Sequence, residues 1–185
     1  MVKRDLIRNI ILLTLAVVAV ICIRIFWITP YHVSEKESTP SLQTNDLVLA
    51  VKKDSLHRGA QVLYLINGKE RVGRIIAKAG DEVVYMDDVL YLNGKIKEEP
   101  YLKEMRDHYF AKPENLGNYF TNDFEVMQLP GTTTNQIPKN HYLILNDNRK
   151  DVDDSRSVGL IDQNQIQGVL DFRVTPLNKF GFVEK

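Results

Sequence analysis

Apolar and polar positions divide the chain into two unlike stretches. From Ile10 to Ile23 every residue is apolar except Thr14, and Ile25-Phe-Trp-Ile28 follows Arg24. A continuous run of that kind has no polar face and predicts a membrane-spanning helix. Beyond it the pattern changes to short β-rich runs broken by turn residues. Asp46-Leu-Val-Leu-Ala-Val-Lys52, Gln61–Ile66 and Glu70–Ala77 read as strands, and Asn67-Gly68 joins the last two as a type I′ hairpin. Glu82–Met86, Asp87-Asp88, Val89–Leu92 and Asn93-Gly94 form a second strand–turn–strand–turn run. Tyr142–Leu145 and Gln165–Val174 read as late strands. Residues 96–140 are polar and weakly periodic, which predicts an insertion or cap on the β core.

The apolar span over 10–28 would be about 28 Å long as a helix, close to the thickness of a hydrocarbon core. Arg24 lies near one end, where its stem allows it to snorkel, beside the interfacial aromatics Trp27 and Tyr31. No small-x-small cleavage site follows, so the span reads as an uncleaved anchor rather than a removed signal peptide. Lys3, Arg4 and Arg8 precede it and favour a cytoplasmic N-terminus. The expected organisation is therefore a cytoplasmic 1–9, an anchor at 10–28 in contact with membrane lipid, and an extracytoplasmic domain over 29–185.

Charge excludes one class of partner. The chain has 24 basic and 24 acidic residues, with no basic block of the kind that marks a nucleic-acid surface. Cys22, the only cysteine, falls inside the apolar span, so the domain beyond it holds neither a disulfide nor a cysteine metal site. His32, His57, His108 and His141 are dispersed and show no metal-ligand spacing. Asp147, Asp151, Asp153 and Asp154 lack the loop spacing and glycine of a calcium hand. No metal and no small-molecule cofactor is expected.

Four fragments carry a specific resemblance. Val33-Ser-Glu-Lys-Glu-Ser-Thr-Pro-Ser-Leu42, running into Asn45-Asp46, resembles the nucleophile box of bacterial type I signal peptidases (peptidase family S26), V-x-G-x-S-M-x-P-T-L-x-x-G-D. Arg71-Val-Gly-Arg-Ile-Ile-Ala-Lys-Ala-Gly-Asp81 resembles the general-base box, Y-V-K-R-V-I-G-L-P-G-D. Gly80-Asp81 through Asn93-Gly94-Lys95 to Glu99-Pro100-Tyr101-Leu102 looks like the Gram-positive sequence between that box and the cap. Leu145-Asn-Asp-Asn-Arg-Lys-Asp-Val-Asp-Asp-Ser-Arg156, with Gly159, is similar to G-D-N-R-x-x-S-x-D-S-R-x-x-G. The resemblance implies a mostly β, antiparallel signal-peptidase fold with a variable cap at 96–140 and one N-terminal helix.

It also implies which positions carried chemistry. The nucleophilic serine falls on Glu37 and the base lysine on Gly73. The serine that orients the lysine falls on Val152, and the oxyanion-linked position falls on Glu35. A serine–lysine dyad needs a hydroxyl beside an amine kept neutral by burial, and a carboxylate at 35 opposes oxyanion charge. Pro40, Gly80, Asp81, Asp154, Ser155, Arg156 and Gly159 keep the family pattern and read as structural. A relocated dyad of Ser38 and Lys78 is the rescue to weigh against this. On an extended segment Ser38 faces away from position 37, and Lys78 has the wrong parity relative to Gly73. Glu35 and Glu37, two apart, would share one strand face.

The resemblance thus points to an inactive signal-peptidase-like protein of the kind found in streptococcal pilus loci. Such a protein acts as an accessory or chaperone with pilin subunits and a sortase. The alternatives are an active peptidase and a structural membrane scaffold. In the family an extended peptide lies between two strand edges, here mapped to Val33, Ser34, Glu35, Lys36, Glu37 and Ser38 on one side and Glu70–Arg74 on the other. Gly73 is expected to leave room in that cleft, with the cap as the alternative binding surface.

Overall fold

Asn67 and Gly68 both take left-handed backbone conformations, with φ of 50° and 76°, as a type I′ turn requires. They close a hairpin between β3 (Gln61–Ile66) and β4 (Lys69–Lys78) that forms the centre of the molecule. The computed structural model describes residues 2–53 and 55–183. The side chains of residues 2, 3 and 22–26 lie outside that description, and with them the readings made for Lys3, Cys22 and Arg24.

A larger antiparallel sheet runs in the order β1-β2-β11-β3-β4-β9-β10, with β12 paired to β11. Its other members are β1 (Ile28–His32), β2 (Leu47–Val51), β9 (His141–Leu145), β10 (Ile161–Asp162), β11 (Ile166–Thr175) and β12 (Gly181–Phe182). A smaller sheet has the order β7-β6-β5-β8, built from β5 (Val83–Met86), β6 (Val89–Leu92), β7 (Lys95–Lys97) and β8 (Phe124–Glu125). Side chains of successive strand residues point to opposite faces. Leu63 and Val72 therefore join one core with Val33, Leu42 and Val48, while Val62, Tyr64 and Ile75 join another with Ile144 and Ile161. A third core, around Ile76, Val83, Tyr85 and Leu143, joins the two sheets.

The N-terminal helix α1 spans Val2–Trp27, 26 residues, and passes directly into β1. The expected anchor boundary at 28 is thus corrected: Ile28 is already a strand residue, paired with Val51. The apolar side chains described on α1, from Leu6 to Ile21, are exposed. Among the described residues no helix is long and apolar enough to cross a membrane, so the span expected over 10–28 is not shown by the structure. Residues 96–140, expected as a cap, are more regular than their polarity suggests. They include the helix α2 (Lys103–Phe110), and β8 completes the smaller sheet. A third, short helix, α3 (Ser155–Val158), follows the last sequence box.

Candidate functional site

The segment after β1 does not continue as a strand. Glu35–Glu37 is a single 3₁₀ turn, so Glu35 and Glu37 do not share a strand face. Glu35 is exposed, whereas Glu37 is turned inward and buried. Alternation of faces holds for extended chain, and here the backbone coils.

The buried Glu37 carboxylate is fully employed. Oε1 accepts the Val72 N–H at 2.9 Å. Oε2 accepts the Tyr31 hydroxyl at 2.6 Å, the Ser34 hydroxyl at 2.6 Å and the Ser34 N–H at 3.3 Å. Tyr31 is correspondingly held as a neutral phenol: burial and the adjacent Glu37 charge push its pKa far above the ordinary value. Ser34 and Val72 lie on the two edges expected to flank an added peptide. One carboxylate thus accepts a main-chain hydrogen bond from each edge, the role an inserted strand would play. Val33 adds nothing free, since its N–H donates to Asp46 O and its carbonyl accepts from Asn45 N, both at 2.9 Å.

Gly73 does not leave the expected room. A Cβ built there would sit 2.7 Å from Ile144 Cγ2 and 3.2 Å from both Tyr64 Cε1 and the Leu145 carbonyl. The cause is register: Val62 lies opposite Gly73, so Tyr64, two residues on, projects from the same face and covers it. Tyr64 is fully buried, and among the described residues its hydroxyl has no hydrogen-bond partner. Burial raises its pKa far above the ordinary phenol value, and the Asp154 and Glu37 charges add to the effect. What remains beside Glu37 and Gly73 is a cavity of about 10 Å³, space for one water at most. Sequence reading missed Tyr64, which lies in an ordinary strand run; only its register opposite a glycine distinguishes it.

The other predicted positions are dispersed around this closed centre. Val152 is exposed and lends its carbonyl to the Asp154 N–H at 2.8 Å. Lys36 is exposed and borders the closed cavity. Ser38 is half-buried just beyond the 3₁₀ turn, while Lys78 is exposed at the far end of β4. Five residues of strand separate Lys78 from Gly73, about 16 Å. The structure does not bring Ser38 and Lys78 together.

The residues read as structural sit in two densely hydrogen-bonded clusters, around Asp154 and around Asp81. Asp154 is fully buried and accepts from Asn146 N at 2.8 Å, Arg156 N and Nε at 2.9 Å and an Arg156 terminal nitrogen at 2.6 Å. Ser155 Oγ accepts the Ile144 N–H at 3.0 Å, which fixes β9 under Gly73. At Gly159, with φ of 89°, a side chain would run into the Pro130 carbonyl. Asp81 accepts two bonds from Arg58, at 2.7 and 2.5 Å, and one from Lys78 N at 2.9 Å. Burial alone would raise the Asp81 pKa; Arg58, Lys78 N–H and Asn93 outweigh it and hold the carboxyl below its ordinary value. Gly80 supplies the left-handed turn before it, φ 86°.

The aspartates considered for calcium are spoken for in the same way. Asp147 takes Arg74 in a two-point pair at 2.8 and 2.7 Å, and Asp153 pairs with Arg71. Arg74 stacks over the Tyr101 ring at 4.0 Å. Tyr101 and Arg149 both bond Glu99 Oε1 at 2.5 Å. Burial disfavours the Arg149 charge, yet Glu99 and the phenols of Tyr101 and Tyr85 keep it protonated. This buried network ties the cap to the last sequence box, and sequence reading did not foresee it.

Known proteins with the same pattern place the chain. The sequence profile of the family "Signal peptidase, peptidase S26" matches residues 6–175. Signal peptidase IB of Staphylococcus aureus strain MRSA252 is 36% identical over 187 residues, covering 97% of this chain and 95% of its own length. Signal peptidase I of Bacillus caldolyticus is 34% identical over 172 residues, covering 90% of each. The crystal structure of a signal peptidase I from Enterococcus faecalis V583 superposes with a TM-score of 0.57 at 31% identity, covering 63% of this chain and 97% of that one. With the family profile matched over residues 6–175, relatives at 36% identity over nearly the whole chain and the β fold matched, the chain belongs to the signal peptidase family, peptidase S26.

Proposed function

We propose that this chain is a membrane-anchored, non-catalytic member of its family, acting outside the cell as an accessory or chaperone in the polymerisation of pilin subunits alongside a sortase. The observation that carries the non-catalytic part is the state of the two aligned catalytic positions. Glu37 is consumed as a hydrogen-bond acceptor by both cleft edges. Gly73 has no side chain, and the place for one is taken by Ile144 and Tyr64. Neither a nucleophile nor a base stands there. Two further substitutions support it: valine at 152 offers no hydroxyl, and Glu35 adds an exposed negative charge. The anchor is supported by the apolar exposed length of α1, whose Leu6, Ile7, Ile10 and Leu13 have no other cover. The pilus role comes from the resemblance to inactive members of pilus loci.

The names of the relatives favour a second reading, an active signal peptidase. It would need Ser38 and Lys78, and about 16 Å of strand between Lys78 and Gly73 opposes that. A purely structural membrane scaffold is the third. The test uses full-length protein in detergent, incubated with a pre-pilin and with a generic preprotein. Saturable pilin binding without cleavage is expected. Cleavage abolished by Ser38→Ala would overturn the proposal in favour of the peptidase, and neither binding nor cleavage would favour the scaffold.

A further inference from the structure

Between the loop Ser38–Ser41 and helix α2 runs an open groove of two adjoining cavities, about 470 and 520 Å³. Both are bordered by Thr39, Pro40 and Glu104. The volumes are those of ligand-binding clefts, and the groove is made by the cap rather than by the catalytic positions. Its two ends differ in chemistry. At one end four of the five charges are paired within the fold, Lys103 with Asp107 at 2.6 Å and Arg74 with Asp147 at 2.7 Å, while exposed Glu104 forms no ion pair among the described residues.

At the other end the floor is apolar. Met105 and Tyr109 lie four residues apart on one face of α2, and Phe120 and Pro40 extend the apolar surface; the exposed Glu104 and His108 also line this end, one carboxylate against two lysines. Lys112 and Lys150 stand at this end, and among the described residues neither forms an ion pair with a carboxylate. Lys150 Nζ instead lies 3.1 Å from the Tyr119 carbonyl and 5.1 Å from the Tyr109 ring centroid. Asn148 lines the same wall, half-buried, and its side-chain amide makes no hydrogen bond among the described residues. An amide offers both a donor and an acceptor, the complement of a peptide unit.

We propose that this groove binds an extended polypeptide segment bearing a large apolar side chain beside carboxylates. The apolar side chain packs between Pro40, Met105 and Tyr109, the carboxylates meet Lys112 and Lys150, and Asn148 bonds the main chain. The inference deepens the accessory reading and rests on it for its biological meaning, because it states the chemistry by which a partner is held. It also reassigns the binding surface, from the closed cleft to the cap.

The test measures fluorescence anisotropy of two labelled, N-acetylated octapeptides, one alternating Phe and Glu and one alternating Phe and Lys, against the full chain in detergent. The acidic peptide is expected to bind at least about tenfold more tightly. Lys112→Glu, at an exposed position, should weaken that binding about tenfold, and Met105→Asp should abolish it. Equal binding of the two peptides, or binding unaffected by both substitutions, overturns the proposal. Failure of the acidic peptide to bind overturns the groove and leaves the accessory reading standing. Binding accompanied by cleavage supports the groove and overturns the non-catalytic reading.

Discussion

The pocket beside Glu37 and Gly73 and the groove beneath α2 lie side by side and share Thr39, yet one encloses about 10 Å³ and the other about 470 and 520 Å³. The difference lies in what the neighbouring side chains are able to reach. Around Gly73 the neighbours are apolar and inward-facing, and Tyr64 and Ile144 close over the glycine as close packing favours. At the cleft edges Glu37 satisfies main-chain donors that would otherwise be left without partners. Around the groove the walls are a mostly half-buried loop and a cap helix whose charged residues keep their heads in water, so nothing collapses into it. A closed pocket and an open groove therefore coexist a few residues apart.

The substitution with the largest expected effect on this contrast is Gly73→Lys. Its Cβ would start 2.7 Å from Ile144, so overpacking and a buried amine should cost about 3 kcal/mol or more, read as a lowered urea midpoint. Tyr64→Ala in the same chain should recover part of that loss; if Gly73→Lys is neutral by itself, the cleft is not filled. Glu37→Ala comes next, at about 2 kcal/mol, because it strands the Val72 N–H and the Tyr31 hydroxyl. The double change Glu37→Ser, Gly73→Lys should add no preprotein processing.

Asp81→Asn sharpens the comparison by loosening the far end of β4, on which both regions depend. Because the Asp81 carboxyl is held below its ordinary value of 3.8, its ionised form stabilises the fold above that pH. The contribution is lost as pH falls through the lower, folded value. The cost of Asp81→Asn, on the order of 1 kcal/mol at neutral pH, should accordingly shrink in acid. Smallest is Lys112→Glu, which should change stability by less than about 0.5 kcal/mol while altering the groove's ligand preference.

Much of the scaffold was legible because local chemistry and tertiary position agree. Asn67-Gly68, Asp87-Asp88 and Asn93-Gly94 all occupy turns with positive φ, and Asp154 and Arg156, read as structural, form an ion pair. Three features were not legible. β1 was concealed because Ile28 closes the apolar run and Thr29-Pro-Tyr-His32 shows no strand alternation, so that only pairing with β2 marks it. α2 was hidden by polarity, its short apolar stripe of Met105 and Tyr109 being too brief for periodicity to reveal. The closure at Gly73 depends on β3–β4 register and on a 3₁₀ turn that aims Glu37 inward. An open cleft was the natural expectation from a glycine, and side chains from two other strands contradict it.

The central claim is that Glu37 bridges the two cleft edges, and residue-resolved amide exchange of Val72 tests it most directly. Val72 N–H lies on the stretch of β4 that precedes its pairing with β9, and its partner is Glu37 Oε1 at 2.9 Å. In the native chain this amide should be protected. In Glu37→Ala it should exchange at least about tenfold faster, while Ile75, bonded to Ala60 O at 2.9 Å, keeps its protection once any global loss of stability is accounted for. A native Val72 amide that exchanges as freely as an unpaired one, or one whose protection survives Glu37→Ala, would contradict the account.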